Sequence, residues 1–162
     1  MRINFSSKKN SFGFTLVELA VVTSIIVALL GFITISLIRS QQAVSLTESE
    51  EILLTDLKQQ QLKAMIGDTE GRGASDSYGV HFDSNRYVLF HGAVYSSSDT
   101  SNSTINLEGN IQFNSPSYNV IFSKLSGEIP TTAIIELQDS TNSKLRKIHL
   151  NIYGVVTQVE AL

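Results

Sequence analysis

The chain contains no cysteine, and this absence limits what kind of protein it can be. Without cysteine it has no disulfide framework and no lipid anchor attached through a thiol. Proline is scarce as well, with two residues, and neither interrupts the sequence before Ile66. The 162 residues, 42% of them hydrophobic, are enough for one modest domain.

Positive charge is also in short supply. The formal net charge is −3, and loss of residues 1–13, which carry Arg2, Lys8 and Lys9, would take it to −6 (−3 minus three positive charges). Basic stripes are the usual sign of a nucleic-acid-binding protein. The composition therefore makes nucleic acid an improbable partner.

What the sequence does contain is one long apolar run over 14–38. As a helix it would measure roughly 38 Å, against about 30 Å for the hydrocarbon core of a bilayer. It is too long for the apolar core of a secretory signal peptide. Three basic residues precede the run and only Arg39 follows it, which predicts a single span with a cytoplasmic N terminus.

Glu18 is the unusual residue of this run. A carboxylate in a membrane-length apolar helix is costly, so it normally has a partner or a task. An α-amine released at Phe14 would lie about 6 Å along a helix from the Glu18 carboxylate. We therefore expect Glu18 to pair with such an amine on an adjacent subunit, the alternative being a carboxylate that merely sits at the headgroup level.

A helical pattern continues beyond the apolar run to Ile66, where Gly67 supplies a stop signal. The apolar stripe of this second part consists of Ala43, Leu46, Leu53, Leu54, Leu57, Ala64 and Met65. It indicates packing against a sheet. A coiled-coil seam is the alternative, but the stripe is interrupted after too few heptads.

Past Gly67 the pattern changes to short strands. The predicted strands are Tyr78 to Phe82, Arg86 to Phe90, Ile105 to Leu107, Ile111 to Phe113, Val120 to Phe122, Ala133 to Leu137, Lys147 to Tyr153 and Val155 to Val159. Asp83-Ser84-Asn85 is a hairpin signal, and 96–104 is predicted to be a loop. This spacing is typical of an antiparallel, strand-rich domain.

The segment Ser11-Phe12-Gly13-Phe14-Thr15-Leu16-Val17-Glu18-Leu19 resembles the type III signal of type IV pilins and type II secretion pseudopilins. The resemblance implies cleavage by prepilin peptidase after Gly13 and N-methylation of the new first residue, Phe14. It assigns Glu18 the family's role in assembly. It also implies a bacterial inner-membrane protein with a periplasmic or extracellular C-terminal domain that moves from membrane to filament on assembly.

The strand segments resemble the GspH/FimT group of minor pilins and pseudopilins, through Tyr78-Gly79-Val80, 86–92, Val120-Ile121-Phe122 with Gly127, and 148–154. The resemblance implies an α+β, pilin-like fold: a long N-terminal helix, transmembrane in its first half, packed on a C-terminal antiparallel β-sandwich-like domain. The implied division is a leader peptide over 1–13, a transmembrane part over 14–38, an extramembrane amphipathic part over 39–66 and a globular head over 67–162.

The function implied is that of a minor pseudopilin, a structural subunit of a type II secretion pseudopilus. Its partners would be prepilin peptidase, other pseudopilins or pilins in a filament or tip complex, the inner membrane, and the secretion or pilus assembly machinery. A minor type IV pilin and a FimT-like competence pseudopilin for DNA uptake stay open. Some FimT-like relatives bind DNA through basic residues near the C terminus, and no arginine follows Gly154 here.

The remaining alternative is an uncleaved, membrane-tethered binding or catalytic domain, for which the sequence offers little. We expect no enzyme activity, no cofactor and no metal. The three histidines, His81, His91 and His149, are interpreted as surface or packed residues rather than metal ligands. The carboxylates of Asp68, Glu70, Asp76 and Asp83 fit no calcium loop, and 71–76 lacks the third glycine of a phosphate-binding loop.

Overall fold

The computed structural model describes residues 15–162, except for the side chains of 32–45. One α-helix, α1, is assigned over Leu16–Ile66. The chain divides into two compact units, Met1–Gln41 and Gln42–Leu162, and we call the second the head unit. Two stretches of α1 therefore have described side chains. They are 16–31 in the first unit and 46–66 in the head unit.

The predicted fold class, in which the first half of a long N-terminal helix crosses the membrane, is wrong, and so is the single-pass inner-membrane localisation. Within the described residues, neither helical stretch is both long enough and apolar enough to cross a bilayer. Residues 16–31 would extend about 24 Å, short of a hydrocarbon core of about 30 Å. Residues 46–66 interleave charged side chains such as Glu51 and Lys58 with the apolar ones.

The C-terminal end of α1 is closed by backbone hydrogen bonds around a glycine. Gly67 has a φ of 65°, the left-handed conformation that glycine adopts without strain. Its N–H donates to Ala64 O at 3.2 Å, and the N–H of Asp68 donates to Lys63 O at 3.0 Å. This pair of bonds is the Schellman arrangement, so the predicted stop at Gly67 is confirmed.

Two four-stranded antiparallel sheets follow the helix. The strands are β1 Tyr78–Phe82, β2 Arg86–His91, β3 Ser103–Asn106, β4 Ile111–Phe113, β5 Tyr118–Phe122, β6 Ala133–Asp139, β7 Lys144–Leu150 and β8 Val156–Ala161. The first sheet has the order β3-β2-β1-β5, and the second has the order β4-β6-β7-β8. We call them sheet A and sheet B.

Most predicted strands exist, but several of their ends differ. The bounds of β1 and β4 are confirmed, as is the turn after Phe82. β3 begins at Ser103, inside the predicted loop, because Val88 and Leu89 of β2 pair with Thr104 and Ser103. β7 ends at Leu150 rather than Tyr153, since the Asn151 side chain accepts hydrogen bonds from the N–H groups of Tyr153 and Val155 and forms a turn.

One hydrophobic core joins the two sheets and the second stretch of α1. Its members include Leu46, Leu53, Leu57 and Ala64 from the helix, Val80, Phe82, Val120 and Phe122 from sheet A, and Phe113, Ile135, Leu137, Ile148 and Leu150 from sheet B. The rings of Phe82 and Phe113 meet edge to face with their centroids 4.9 Å apart. Packing of this helical stretch against sheets, rather than in a coiled-coil seam, is confirmed.

Polar contacts fix the position of the helix on the sheets. Gln61 Nε2 donates to the backbone oxygens of Gly127 at 3.2 Å and Tyr153 at 2.7 Å. Arg146 on β7 forms an ion pair with Glu50 at 2.9 Å. Because these bonds reach loops and a strand far away in sequence, they set the axial position of the helix, which apolar packing alone leaves less defined.

Candidate assembly site

The predicted site consists of Gly13, Phe14 and Glu18, and only Glu18 is among the described residues. Gly13 and Phe14 lie outside them. Cleavage after Gly13 and methylation at Phe14 therefore stay predictions, and the geometry of the site is built from Thr15 onward.

Glu18 forms a reciprocal pair with Thr15 at the first turn of α1. The Thr15 hydroxyl accepts a hydrogen bond from Glu18 N at 3.2 Å. In return, the Glu18 carboxylate accepts from Thr15 N at 3.0 Å and from the Thr15 hydroxyl at 2.9 Å. This is a capping box, in which an N-cap threonine and a glutamate three residues later satisfy the free N–H groups of the helix end.

The capping box also favours the ionised form of the Glu18 carboxylate. The hydrogen bond from the Thr15 backbone N–H, followed by that from the Thr15 hydroxyl, lowers the pKa of Glu18 below its usual value. Both bonds go to Oε2. Among the described residues Oε1 has no hydrogen-bond partner, so this oxygen is able to accept a further hydrogen bond.

The residues around Glu18 form an apolar surface. Every residue over 15–31 is exposed, including Leu16 at 84% and Val17 at 70%. The hydroxyl groups of the stretch bond back to their own helix, Thr23 to Leu19 O and Ala20 O and Ser24 to Val21 O. Because these polar groups are satisfied locally, the stretch offers a neighbour almost nothing but apolar contact and one carboxylate.

The three histidines all belong to the head unit. His81 stacks on Tyr95 with the ring centroids 3.9 Å apart. His91 Nδ1 lies 2.8 Å from the Ser101 hydroxyl, and His149 Nε2 lies 3.5 Å from Glu160. In the part of the chain that the structure describes, no three histidine or carboxylate side chains come together as a metal site.

The four loop carboxylates have separate local contacts. Glu70 pairs with Lys63 at 2.6 Å and with Arg72 at 3.1 Å, and Asp83 pairs with Arg86 at 2.7 Å. Asp68 and Asp76 accept hydrogen bonds from nearby backbone N–H groups. The structure thus does not bring these four residues together.

Sequence reasoning missed the capping box, although the signal was present. Thr15-Leu16-Val17-Glu18 has the form threonine, two residues, glutamate, directly before an apolar run. The resemblance assigns Glu18 only an intermolecular role. The structure adds that Glu18 also has a partner within its own chain.

Comparison of the chain with family models, with curated proteins and with the solved structures returned no match.

Proposed function

We propose that this protein is a structural subunit of a pilin-type filament, a minor pseudopilin of a type II secretion pseudopilus. The observation that carries the proposal is Glu18, an ionised and exposed carboxylate in the first turn of an exposed apolar helical stretch. The sequence before it, Gly13-Phe14, has the form of a prepilin peptidase site. Subunits processed there would begin at Phe14, four residues ahead of Glu18.

Assembly then follows from charge and apolar contact. The α-amine of a processed subunit is a cation, and Glu18 Oε1 of its neighbour accepts from it without breaking the bonds between Oε2 and Thr15. Burial between helices strengthens the pairing because the local dielectric constant falls. Apolar side chains such as Leu19 and Ile26 pack against the same stretch of neighbouring subunits, so exposed surface becomes the interior of the filament.

The head unit supports the same function by its construction. Its part of α1 is attached to the sheets through a shared core and through long-range bonds such as that from Gln61 to Tyr153. A head of this kind presents a fixed surface to partners around a filament. A minor type IV pilin or a competence pseudopilin would use the same processed N terminus, and secretion, piliation and transformation assays of a deletion strain separate the three.

Processing is tested by intact mass. The wild-type protein should have lost residues 1–13 and gained one methyl group. Gly13→Asp should stay at full length, because the side chain occupies the position where the peptidase requires none. Gly31→Asp is not a suitable control, since it alters the apolar stretch, so Gly73→Asp in an exposed loop serves instead and should be processed normally. A mature N terminus at Phe14 in Gly13→Asp would refute this cleavage site.

Assembly is tested by crosslinking to partner subunits, with variants that separate charge from capping. Glu18→Gln keeps an acceptor for the capping box but removes the charge, and it should lose crosslinking while processing continues. Thr15→Ala removes the cap but keeps the carboxylate, and it should retain crosslinking. Loss of crosslinking in Thr15→Ala with retention in Glu18→Gln would mean that Glu18 acts only as a helix cap. Crosslinking at the wild-type level in Glu18→Gln would rule out charge pairing.

A further inference from the structure

A groove in the head unit lies where the two sheets part. Its volume is about 370 Å³. One wall is β5, an edge strand of sheet A, and the other is the segment 129–134, which leads into β6 of sheet B. The Tyr118 hydroxyl donates to Ile134 O at 3.3 Å and so joins the two walls. The groove is therefore bounded on both sides by the chain itself.

The pattern of hydrogen bonds in sheet A determines which backbone groups β5 turns toward this groove. At the two ends of the pair formed by β1 and β2, Gly92 N donates to Ser77 O at 2.7 Å and Asp83 N donates to Arg86 O at 2.9 Å. Ser77 and Asp83 flank β1 and are odd-numbered. Because residues along a strand alternate between its two neighbours, the odd-numbered residues of β1 bond to β2 and the even-numbered ones bond to β5.

Asn119 and Ile121 therefore point their backbone N–H and C=O groups away from β1, since they lie opposite odd-numbered residues of that strand. Ser123, the next residue in the same alternation, donates from its N–H to Glu128 O at 2.8 Å, outside the sheet. In the part of the chain that the structure describes, the backbone groups of Asn119 and Ile121 have no protein partner on this side. They present the alternating donors and acceptors that an added strand requires.

β5 also lacks the features that usually protect an exposed sheet edge. Such protection comes from charged side chains, proline, bulges or very short strands. β3 and β4 have only four and three residues, and β8 carries Glu160 and pairs with β7 through an irregular register. β5 has five residues, Tyr-Asn-Val-Ile-Phe, with no charge and no proline. Of the four edge strands it is the best suited to accept another strand.

The lining of the groove limits the side chains that a ligand can bring. Pro130, Thr131 and Thr132 are exposed and line the wall opposite β5. Among the described residues, no charged side chain lines the groove. A charged group of the ligand would lose water here without gaining a counter-charge. Because walls stand on both sides, the groove admits a single extended segment but not the edge of a second sheet.

We propose that this groove binds an extended, uncharged segment of a partner protein, which adds to sheet A as a strand beside β5. The backbone of that segment bonds to the N–H and C=O groups of Asn119 and Ile121. Its small or apolar side chains contact Thr131 and Thr132 on the opposite wall. The inference does not depend on the proposed filament function, because it rests on the head unit alone.

The test is amide hydrogen exchange of the isotope-labelled full chain, titrated with an end-blocked peptide of alternating threonine and valine. Saturating peptide should slow exchange at Asn119 and Ile121 at least about tenfold, whereas Val120 and Phe122, which bond to β1, should exchange slowly throughout. The same peptide with every backbone nitrogen methylated keeps its side chains and should give no protection. Absence of protection with the unmethylated peptide, or equal protection with both, would overturn the proposal. Protection that rises with protein concentration alone would assign this edge to a second copy of the chain and would also overturn it.

Two pairs of variants locate the binding. Asn119→Pro removes one outward N–H without removing a bond to β1, and should weaken peptide binding at least about tenfold. Asn119→Ala keeps that N–H and should stay within about threefold of wild type; it also controls for loss of the bond from Asn119 to His81. Thr132→Lys places a charge on the opposite wall and should weaken binding, whereas Thr104→Lys, at an exposed position of β3, should not. Wild-type affinity in Asn119→Pro or in Thr132→Lys would show that the peptide binds elsewhere.

Discussion

The helical stretch over 16–31 and the stretch over 46–66 are both rich in apolar residues, but these residues differ in burial. In the first, every described side chain is exposed. In the second, Leu46, Leu53, Leu57 and Ala64 are at most 2% exposed and belong to the core of the head unit. The first stretch thus derives its stability from its own backbone bonds and cap, and the second from tertiary packing.

This difference separates apolar side chains that the chain buries in its own core from apolar side chains that it leaves exposed. In the head unit, the apolar side chains on one face of the helix are buried in the chain's own core. Those over 16–31 are not, and their polar neighbours Thr23 and Ser24 bond only to their own helix. Under the filament proposal, a neighbouring subunit covers this stretch and lowers its free energy.

The largest effect should come from truncating a core residue of the second stretch. Leu53→Ala removes a side chain with no exposed surface, and should lower the free energy of unfolding of the head unit by about 2–5 kcal/mol. Urea denaturation followed by circular dichroism measures the change. Its neighbour Ile52 is 46% exposed, and Ile52→Ala should cost far less. Similar costs for both variants would contradict the packing described.

The next effect concerns a glycine where β1 packs beneath an aromatic ring. A Cβ on Gly79 would lie 2.5 Å from Phe90 Cζ and 2.9 Å from Val120 O. Gly79→Ala should therefore destabilise the head unit by about 1–3 kcal/mol through overpacking. Gly73→Ala, where nothing lies within 4 Å, is the matched control and should be close to neutral in the same assay. A neutral Gly79→Ala would mean that Phe90 moves freely.

A third variant should affect only the first stretch. Thr15→Ala removes the N-cap of α1, and should speed amide hydrogen exchange over 16–20 by roughly two- to tenfold. Thr15→Ser keeps the hydroxyl and should exchange much like wild type. The urea midpoint of the head unit should be the same in all three proteins. If the exchange rates over 16–20 were the same in Thr15→Ala as in wild type, the capping box would contribute nothing to the stability of the helix end.

The smallest effect is a pH dependence within sheet B. A hydrogen bond from Lys147, on the paired strand, and another from Asn114 lower the pKa of Glu136 below its usual value. The contribution of the ionised Glu136 carboxylate to the free energy of unfolding is therefore present above the unfolded pKa of about 4.3. It is lost as the pH falls through the pKa of the folded state.

Glu136→Gln should thus be less stable than wild type at pH 7, by less than about 1 kcal/mol because the pair is partly exposed. Near pH 2.5 the two urea midpoints should coincide. Glu108→Gln, at an exposed carboxylate, should match wild type at both pH values. A difference between Glu136→Gln and wild type that persists near pH 2.5 would assign the effect to packing instead of charge.

Much of the head could be predicted from local patterns. The alternation of Val80, His81 and Phe82, and the turn residues after them, marked β1 and its hairpin correctly. Predictions were weakest where tertiary contacts set the ends of strands. Ser103 and Thr104 look like loop residues, and they form β3 because β2 offers them an unpaired edge.

The functional features of the chain also differ in whether local sequence predicts them. The motif around Gly13 and Glu18 is legible in the sequence, and so in principle was the capping box. The cleft of about 320 Å³ that Gln60 lines between α1 and strands β2 and β3 was not, because those strands lie more than twenty residues further along the chain. A glutamine within a helical pattern gives no sign that it will be buried with an unpaired oxygen.

By itself, therefore, the sequence determined the features that depend on near neighbours: the helix stop at Gly67, the period of the strands, and the run of apolar residues that contains Glu18. Only the tertiary structure decided which apolar residues are buried, how eight strands divide into two sheets, and that Gln60 faces a cleft. The physical reason is the distance along the chain over which each effect acts. Backbone conformation and capping respond to residues a few positions away, whereas burial depends on contacts between segments distant in sequence.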